Sequence, residues 1–340
     1  MTELVSIIMP VYNGAEVAGR AIESVLLQTY QDIELVIIDD GSTDESLSIC
    51  QRYANKYSFI HIYSIKNQGV SNARNYGIEV ANGKYLMFLD VDDELVPEAV
   101  SKLVEVLKRS NADIACVNAY YVDNGKDITK MSAFTPLYCL VESKEEHDLL
   151  IRQLYTETPG YYFGDYLRAS WAKLYETNLL KMNRIMFPIG VPIGEDAIFL
   201  LQVFKKSRRI VLKDEYLYKY YRSVKSVTGR YTSNYYEKKL AEYLALKKAL
   251  ETIHYHIKDI DLIFWHRTSF EYVGNALKSD KGAIWKINNI SDFLKKPYPS
   301  EYLAMPFLPG GKDKIRAFLV KHKLYMLLAM IEYYSKNMKH

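Results

Sequence analysis

Apolar positions along the first part of the chain come in short unbroken runs, separated by stretches with helical spacing. Residues 5–11 (V-S-I-I-M-P-V) form a β-branched run that stops at Tyr12-Asn13-Gly14 and predicts a buried strand. Ile22, Val25 and Leu26 then recur at helix spacing. A second run, 34–40 (E-L-V-I-I-D-D), stops at Gly41-Ser42, and Ser42 or Thr43 is placed to cap the helix that follows. Residues 59–65 predict a third strand, 70–81 a helix and 85–90 (Y-L-M-F-L-D) a fourth strand. Pro97 suits the entry of a helix over 99–109, and 113–122 predicts a fifth strand. Continuous apolar strands between helices predict an α/β domain whose mostly parallel sheet is covered on both faces. Such sheets take ligands at the carboxyl ends of their strands.

Beyond Val122 the pattern loosens. Residues 123–130 are polar and turn-rich, and 147–182 read as helix, loop and helix. Residues 195–206 predict a helix, and 209–222 a tyrosine-rich strand or strand pair. From about Ser233 the chain is mainly helical, interrupted over 295–311 by four prolines and two glycines. The expected organisation is an α/β domain over 1–230 and a helical extension over 231–340.

Composition adds limits. The chain has 340 residues, 49% of them hydrophobic and 25% charged, which excludes a wholly disordered protein. A net charge of +3 is too small to imply nucleic acid as a partner. Its distribution is uneven: residues 1–100 hold 6 basic and 15 acidic side chains, and the remainder holds 38 and 26. An acidic first part that handles a polyphosphate needs a metal ion between the two. Cys50, Cys116 and Cys139 lack paired spacing and read as reduced thiols of a cytoplasmic protein. The beginning of the sequence carries no secretory pattern, and the apolar run 324–331 is too short to span a bilayer. Residues 312–340 hold seven Lys or Arg against Asp313 and Glu332. With two apolar stripes, they fit either a core helix or one lying on the inner face of the cell membrane.

Three acidic groups fall at strand ends or a helix start: Asp39-Asp40, Asp90-Val91-Asp92-Asp93 and Glu195-Asp196. Isolated strand-end aspartates are ordinary turn residues and caps. Asp40, Asp90, Asp92 and Asp196 together point to a hard cation, because Mg²⁺ or Mn²⁺ takes one or two carboxylates and completes its shell with phosphate oxygens and water.

The stretches V-S-I-I-M-P-V-Y-N (5–13), E-L-V-I-I-D-D-G-S-T-D (34–44), N-Q-G-V-S-N-A-R-N-Y-G (67–77) and G-K-Y-L-M-F-L-D-V-D-D (83–93) resemble an inverting family-two glycosyltransferase of the GT-A fold. The likeness resumes at S-W-A-K-L-Y (170–175) and F-P-I-G-V-P-I-G-E-D-A-I-F (187–199) and weakens past about residue 230. The resemblance implies that Pro10, Val11 and Tyr12 wall the nucleotide, that Asp40 accepts from a uracil imide, and that Arg74 lies near base and phosphates. It implies that Asp90 holds the ribose, that Asp92 binds Mn²⁺ or Mg²⁺ with Asp93 as helper, and that Asp196 is the general base. Trp171 is the aromatic expected near the acceptor. Glu195, also on that side, is expected to favour the helix terminus. Tyr220-Tyr221-Arg222, with Ser226 beyond, resembles a segment that closes over the diphosphate. The implied reaction transfers one sugar from a nucleoside-diphosphate donor, UDP-linked, to a hydroxyl of a glycan acceptor, a lipid-linked precursor in cell-surface polysaccharide biosynthesis. A Q-x-x-R-W motif, which processive members carry, is absent from the sequence.

Two rivals remain at this point. A haloacid-dehalogenase-like phosphatase shares a D-x-D strand end, but wants Thr or Val where Glu94 stands and uses its first strand. A non-catalytic sugar-nucleotide-binding partner would be expected to lose the base or a metal ligand, and Asp92 and Asp196 are both present. His254 and His256 have no third ligand nearby, and the thirty tyrosines are explained mostly by packing.

Overall fold

The computed structural model describes residues 3–123, 127–131, 138–155, 165–222 and 231–299. The chain divides into two compact units, Met1–Arg222 and Ser223–His340.

In the first unit, strands β1 (Val5–Val11), β2 (Ile33–Asp39), β3 (Ile60–Ser64) and β4 (Tyr85–Phe88) alternate with helices α1 (Ala18–Leu26), α2 (Ser46–Ala54) and α3 (Val70–Val80). These strands lie in the order β3-β2-β1-β4, all parallel. Every residue of β1 is buried, which is why its sequence is an unbroken apolar run rather than an alternating one. There follow β5 (Glu94–Leu95), α4 (Ala99–Ser110), β6 (Ile114–Asp123), β7 (Asp127–Met131), β8 (Tyr138–Val141) and α5 (Lys144–Gln153). Beyond a short 3-10 turn, Asp165–Arg168, come β9 (Lys173–Glu176), α6 (Thr177–Met182), α7 (Glu195–Lys206) and β10 (Ile210–Arg222). The sheet continues from β4 through β9, β6 and β10 to β5, with β7 on β6 and β8 on β10. β9 runs antiparallel to both β4 and β6, so β6 and its parallel partner β10 point the same way as the first four strands.

Several expectations are corrected. Residues 173–176, read as part of a helix-loop-helix stretch, form β9. The polar segment after Val122 contains β7, and 209–222 holds a single long strand with register shifts around Tyr216. Neither Ser42 nor Thr43 caps α2. Asp44 does the local work, accepting from the Ser46 N–H at 3.0 Å and from the Ser46 hydroxyl at 2.5 Å.

The core packs on both faces. Met9, Ile37 and Met87 meet Ile22 and Val25 of α1 and Leu103 and Leu107 of α4 in one buried cluster. An aromatic group joins β4, β9, the entry loop of α7 and α7 itself: Phe187 stacks on Phe199 at 4.0 Å, and Phe88 meets both edge-on. Each such side chain contributes about 1.5–3 kcal/mol by burial. Helix α3 lies so close to β1 that a Cβ at Gly77 would overlap the Ile8 side chain.

The second unit contains α8 (Tyr235–Thr252), α9 (Ile260–Leu277) and α10 (Ala283–Leu294). Trp265 is fully buried among Tyr243, Phe264 and Tyr298. Tyr272 stacks on Phe293 at 3.9 Å, joining α9 to α10. Among the described residues no helix is long and apolar enough to cross a membrane. The stretch 312–340 lies outside the described residues.

Candidate active site

Topology brings the chemistry to one edge of the sheet. β1, β2 and β4 end at Val11, Asp39 and Phe88, so Tyr12, Asp40 and Asp90 leave from the same side. β9 is antiparallel, so the loop that enters it, carrying Ser170 and Trp171, arrives at that edge as well. The Tyr218–Arg222 end of β10 does too, because β10 is parallel to β6.

Arg74 of α3 is the hub. Its side chain is only 4% exposed, and it donates to Asp90 Oδ1 at 2.8 Å, Asp196 Oδ1 at 2.9 Å and Glu195 Oε1 at 3.3 Å. Burial opposes its charge, but Asp196, Asp90 and Glu195 outweigh burial and hold the guanidinium well above its usual pKa. Phe187 lies beneath, 5.2 Å from the guanidinium, and its backbone is pinned by Asn75, the neighbour of Arg74, through two hydrogen bonds.

Asp196 is oriented from two sides. Ser170 donates its backbone N–H to Oδ2 at 3.2 Å and its hydroxyl to Oδ1 at 3.1 Å, while Arg74 also holds Oδ1. Ala172 has a left-handed φ of 55°, and the buried Lys173 Nζ donates to the Ala169 carbonyl at 2.6 Å, which fixes the turn around Ser170. Gly194, at φ 84°, lets the chain turn into α7 so that Glu195 and Asp196 open the helix. Burial first, and then the neighbouring Asp196, push the Glu195 carboxyl up to about 7.

The D-x-D turn separates its acids. Asp93 is fully buried: Tyr218 Oη donates to Oδ2 at 2.7 Å and the Tyr221 N–H to Oδ1 at 2.8 Å. Asp93 therefore ties β10 to the turn and is not open to act as a metal helper. Asp92 is different. Arg20 grips its carbonyl, Nη2 to O at 2.5 Å, and leaves the carboxylate to the site. Burial and then the charge of Asp90 push the Asp92 carboxyl up to about 6. A half-buried carboxylate short of positive charge fits a hard divalent cation. Among the described residues no three His, Cys, Asp or Glu groups form a ready metal cage. A cation completed by phosphate oxygens and water does not need one.

At the end of β1, Tyr12 stands 51% exposed, whereas Pro10 and Val11 are buried and support the strand end from beneath. Asp40 is buried and accepts from the N–H groups of Gln68 and Gly69 at 2.9 and 2.8 Å, which ties the loop before α3 to the end of β2. Trp171 is 6% exposed and stacks on Tyr218 at 4.7 Å and Tyr220 at 5.5 Å. Its ring is therefore mainly a packing plate between β9 and β10. The side chain of Arg222 and the whole of Ser226 lie outside the described residues. The expected residues Arg74, Asp90, Glu195 and Asp196 thus form one contact group. Ser170, Tyr218, Phe187 and Arg20 were not anticipated as its supports. Ser170 and Phe187 carried a local signal, each opening one of the family-like stretches 170–175 and 187–199; Tyr218 and Arg20 carried none.

One hollow of about 350 Å³ lies at the opposite edge of this sheet, lined by Glu3, Lys84, Asp113 and Arg208 among others. Its cations are already paired, Lys84 with Glu3 and Arg208 with Asp113.

Residues 6–172 match the family model described as Glycosyl transferase family 2. The cholesterol galactosyltransferase of Borreliella burgdorferi is 33% identical over 66% of this chain and 62% of that protein. The putative glycosyltransferase EpsH of Bacillus subtilis is 29% identical over 99% of both chains. This chain therefore spans less than two thirds of the first relative and nearly all of the second. The crystal structure of S. aureus TarS 1–349 in complex with UDP-GlcNAc matches with a TM-score of 0.66 at 21% identity, covering 99% of this chain and 92% of that one. With its parallel β3-β2-β1-β4 half, its D-x-D turn after β4 and these matches, the segment 6–172 belongs to glycosyl transferase family 2, and the first unit, which contains it, has the GT-A fold.

Proposed function

We propose that the chain transfers one sugar from a nucleoside-diphosphate donor, UDP-linked, to a hydroxyl of a glycan or glycolipid acceptor, with inversion in a single displacement. The observation that carries this reading is the fixed pose of Asp196, held by Ser170 on one side and Arg74 on the other. A hydroxyl is a poor nucleophile until a positioned base takes its proton. Asp196 Oδ2 accepts only the Ser170 N–H among the bonds above, so a lone pair remains for an acceptor hydroxyl. One base and no covalent nucleophile suffice for a direct displacement.

The donor end rests on Tyr12 for the base, Asp40 for the imide, Asp90 for the ribose and Asp92 for Mn²⁺ or Mg²⁺. Such a cation, when bound, neutralises charge on the departing diphosphate. A UDP-linked donor is favoured because the TarS neighbour was crystallised with UDP-GlcNAc. A lipid-borne acceptor is favoured by the likeness to the Borreliella relative, a cholesterol galactosyltransferase. The phosphatase reading is disfavoured at Glu94, whose carboxylate is taken by Arg20, Lys219 and Tyr221 and so links β5 to β10.

A second assignment of the base has one observation behind it. The Glu195 carboxyl, raised to about 7 by burial and the neighbouring Asp196, lies near the pH at which a general base works best.

Transfer from a panel of UDP-sugars in Mn²⁺, with and without EDTA, tests the proposal. Chelation should abolish transfer, the product should have the opposite anomeric configuration to the donor, and Asp92→Asn should weaken donor binding as well as turnover. Full activity in chelator, or retention of configuration, contradicts it.

A further inference from the structure

Outside the active site, exposed apolar side chains occur at the end of α6 and in the loop from it to α7. Met182 is 81% exposed, Met186 41% and Ile189 66%. Exposed apolar residues scattered singly need no explanation, but three within residues 182–189 point to a contact surface. The backbone presents this one deliberately. Ile185 N–H donates to the Leu180 carbonyl at 2.9 Å, Phe187 is pinned by Asn75, and Gln202 Nε2 holds the Met186 carbonyl at 3.2 Å. With Ile185 and Phe187 buried, Met186 and Ile189 are left pointing out on either side of Phe187. Phe187 is the ring beneath Arg74, so the patch begins where the catalytic group ends.

Charge narrows the choice of partner. Residues 177–194 contain Lys181 and Arg184 and no Asp or Glu. Lys181 Nζ also donates to the carbonyls of Glu79 and Ala81, so the exposed Glu79 lies nearby and offsets one cation; Arg184 remains, and it is exposed. Apolar side chains beside an unoffset cation fit a contact with anionic lipid, in which the apolar groups enter the headgroup and acyl boundary and the cation meets a phosphate. Flexible thioether side chains adapt to such a fluid phase.

We infer that residues 182–189 dock on an anionic lipid bilayer through Met182, Met186 and Ile189, with Arg184 against lipid phosphates. This surface adds to the proposed transferase a route by which a lipid-borne acceptor reaches Asp196. The docking itself does not depend on that reading, and vesicle binding is measured without donor or acceptor.

The test uses the full chain and vesicles of phosphatidylcholine with or without phosphatidylglycerol. Wild type should sediment with the anionic vesicles and much less with the neutral ones. The double variant Met186→Asp, Ile189→Asp should lose about tenfold in partitioning, because two exposed apolar anchors become charged. Leu27→Asp, at a 67% exposed position elsewhere on this unit, should bind as wild type. In a second arm, Ile189→Cys in a Cys139→Ser background carries an environment-sensitive fluorophore, whose emission should shift to the blue on anionic vesicles. No binding by wild type, equal binding by the double variant, or an equal loss in Leu27→Asp overturns the proposal. So does sedimentation without a blue shift, which would put the contact elsewhere on the chain.

Discussion

Arg74 and Asp196 are joined across 122 residues of chain by a hydrogen-bonded ion pair of 2.9 Å. The other amino group of the same guanidinium holds Asp90 at 2.8 Å. One buried side chain thereby sets the spacing between the strand-end acids, assigned to the donor, and the start of α7, assigned to the acceptor. Arg74→Met should leave Asp90, Glu195 and Asp196 crowded with no cation. Removing one partner of a buried ion pair costs about 3–5 kcal/mol, and these carboxylates keep some solvent, so the expected loss is about 3 kcal/mol. Arg74→Lys should fall between, because an ammonium cannot fork to both sides. Urea unfolding of the two variants measures this. A loss under about 1 kcal/mol for Arg74→Met would show that the hub is not structural.

Glu195 gives a pH signature. Its folded carboxyl sits at about 7, above its unfolded value near 4.5. The folded state therefore holds the proton more tightly. The stabilising contribution is full below pH 4.5 and is lost as pH rises through 7. Glu195→Gln cannot ionise, so it should match wild type in thermal midpoint near pH 5 and exceed it near pH 8. Parallel curves across that range would mean that ionising Glu195 costs the fold nothing.

Two glycines in helices should respond in opposite ways. Gly77 of α3 faces Ile8 with no room for a methyl group, whereas a Cβ at Gly274 of α9 meets nothing within 4 Å. Gly77→Ala should destabilise by about 1–3 kcal/mol through overpacking, and should also lower turnover by lifting Arg74. Gly274→Ala should stabilise by about 0.5–1 kcal/mol, since alanine loses less backbone entropy in a helix. Denaturant midpoints of both variants decide the matter. Equal behaviour would mean that α3 does not need its close approach to β1.

The first four strands were legible because they are buried on both faces, so burial wrote itself as unbroken apolar runs. β9 was not, because K-L-Y-E is short and opens with a buried lysine that its sequence neighbours do not explain. β5 spans only Glu94–Leu95 and β7 is polar, and both exist because a partner strand is there to pair with. At the site, Arg74, Asp90, Asp92 and Asp196 were readable as a motif set. Their supports were not. Tyr218 reaches Asp93 across 125 residues, and Asn75 reaches Phe187 across 112. Pairings over such distances are settled by the fold. The burial that keeps Asp93 from a metal role and the packing that encloses Trp171 are likewise tertiary effects, invisible to spacing.

The base assignment is the centre of the proposed mechanism, and turnover of Asp196→Asn beside Glu195→Gln tests it most directly, with UDP affinity measured by calorimetry on both. Asp196→Asn keeps the shape that Ser170 and Arg74 hold and removes the basic lone pairs. Its turnover should fall by about 10²–10⁴-fold while UDP affinity changes little, and Glu195→Gln should cost far less. Normal turnover in Asp196→Asn would contradict the assignment. If Glu195→Gln were the inactive variant, the proton would go to Glu195 and the roles of the two acids at the start of α7 would be exchanged.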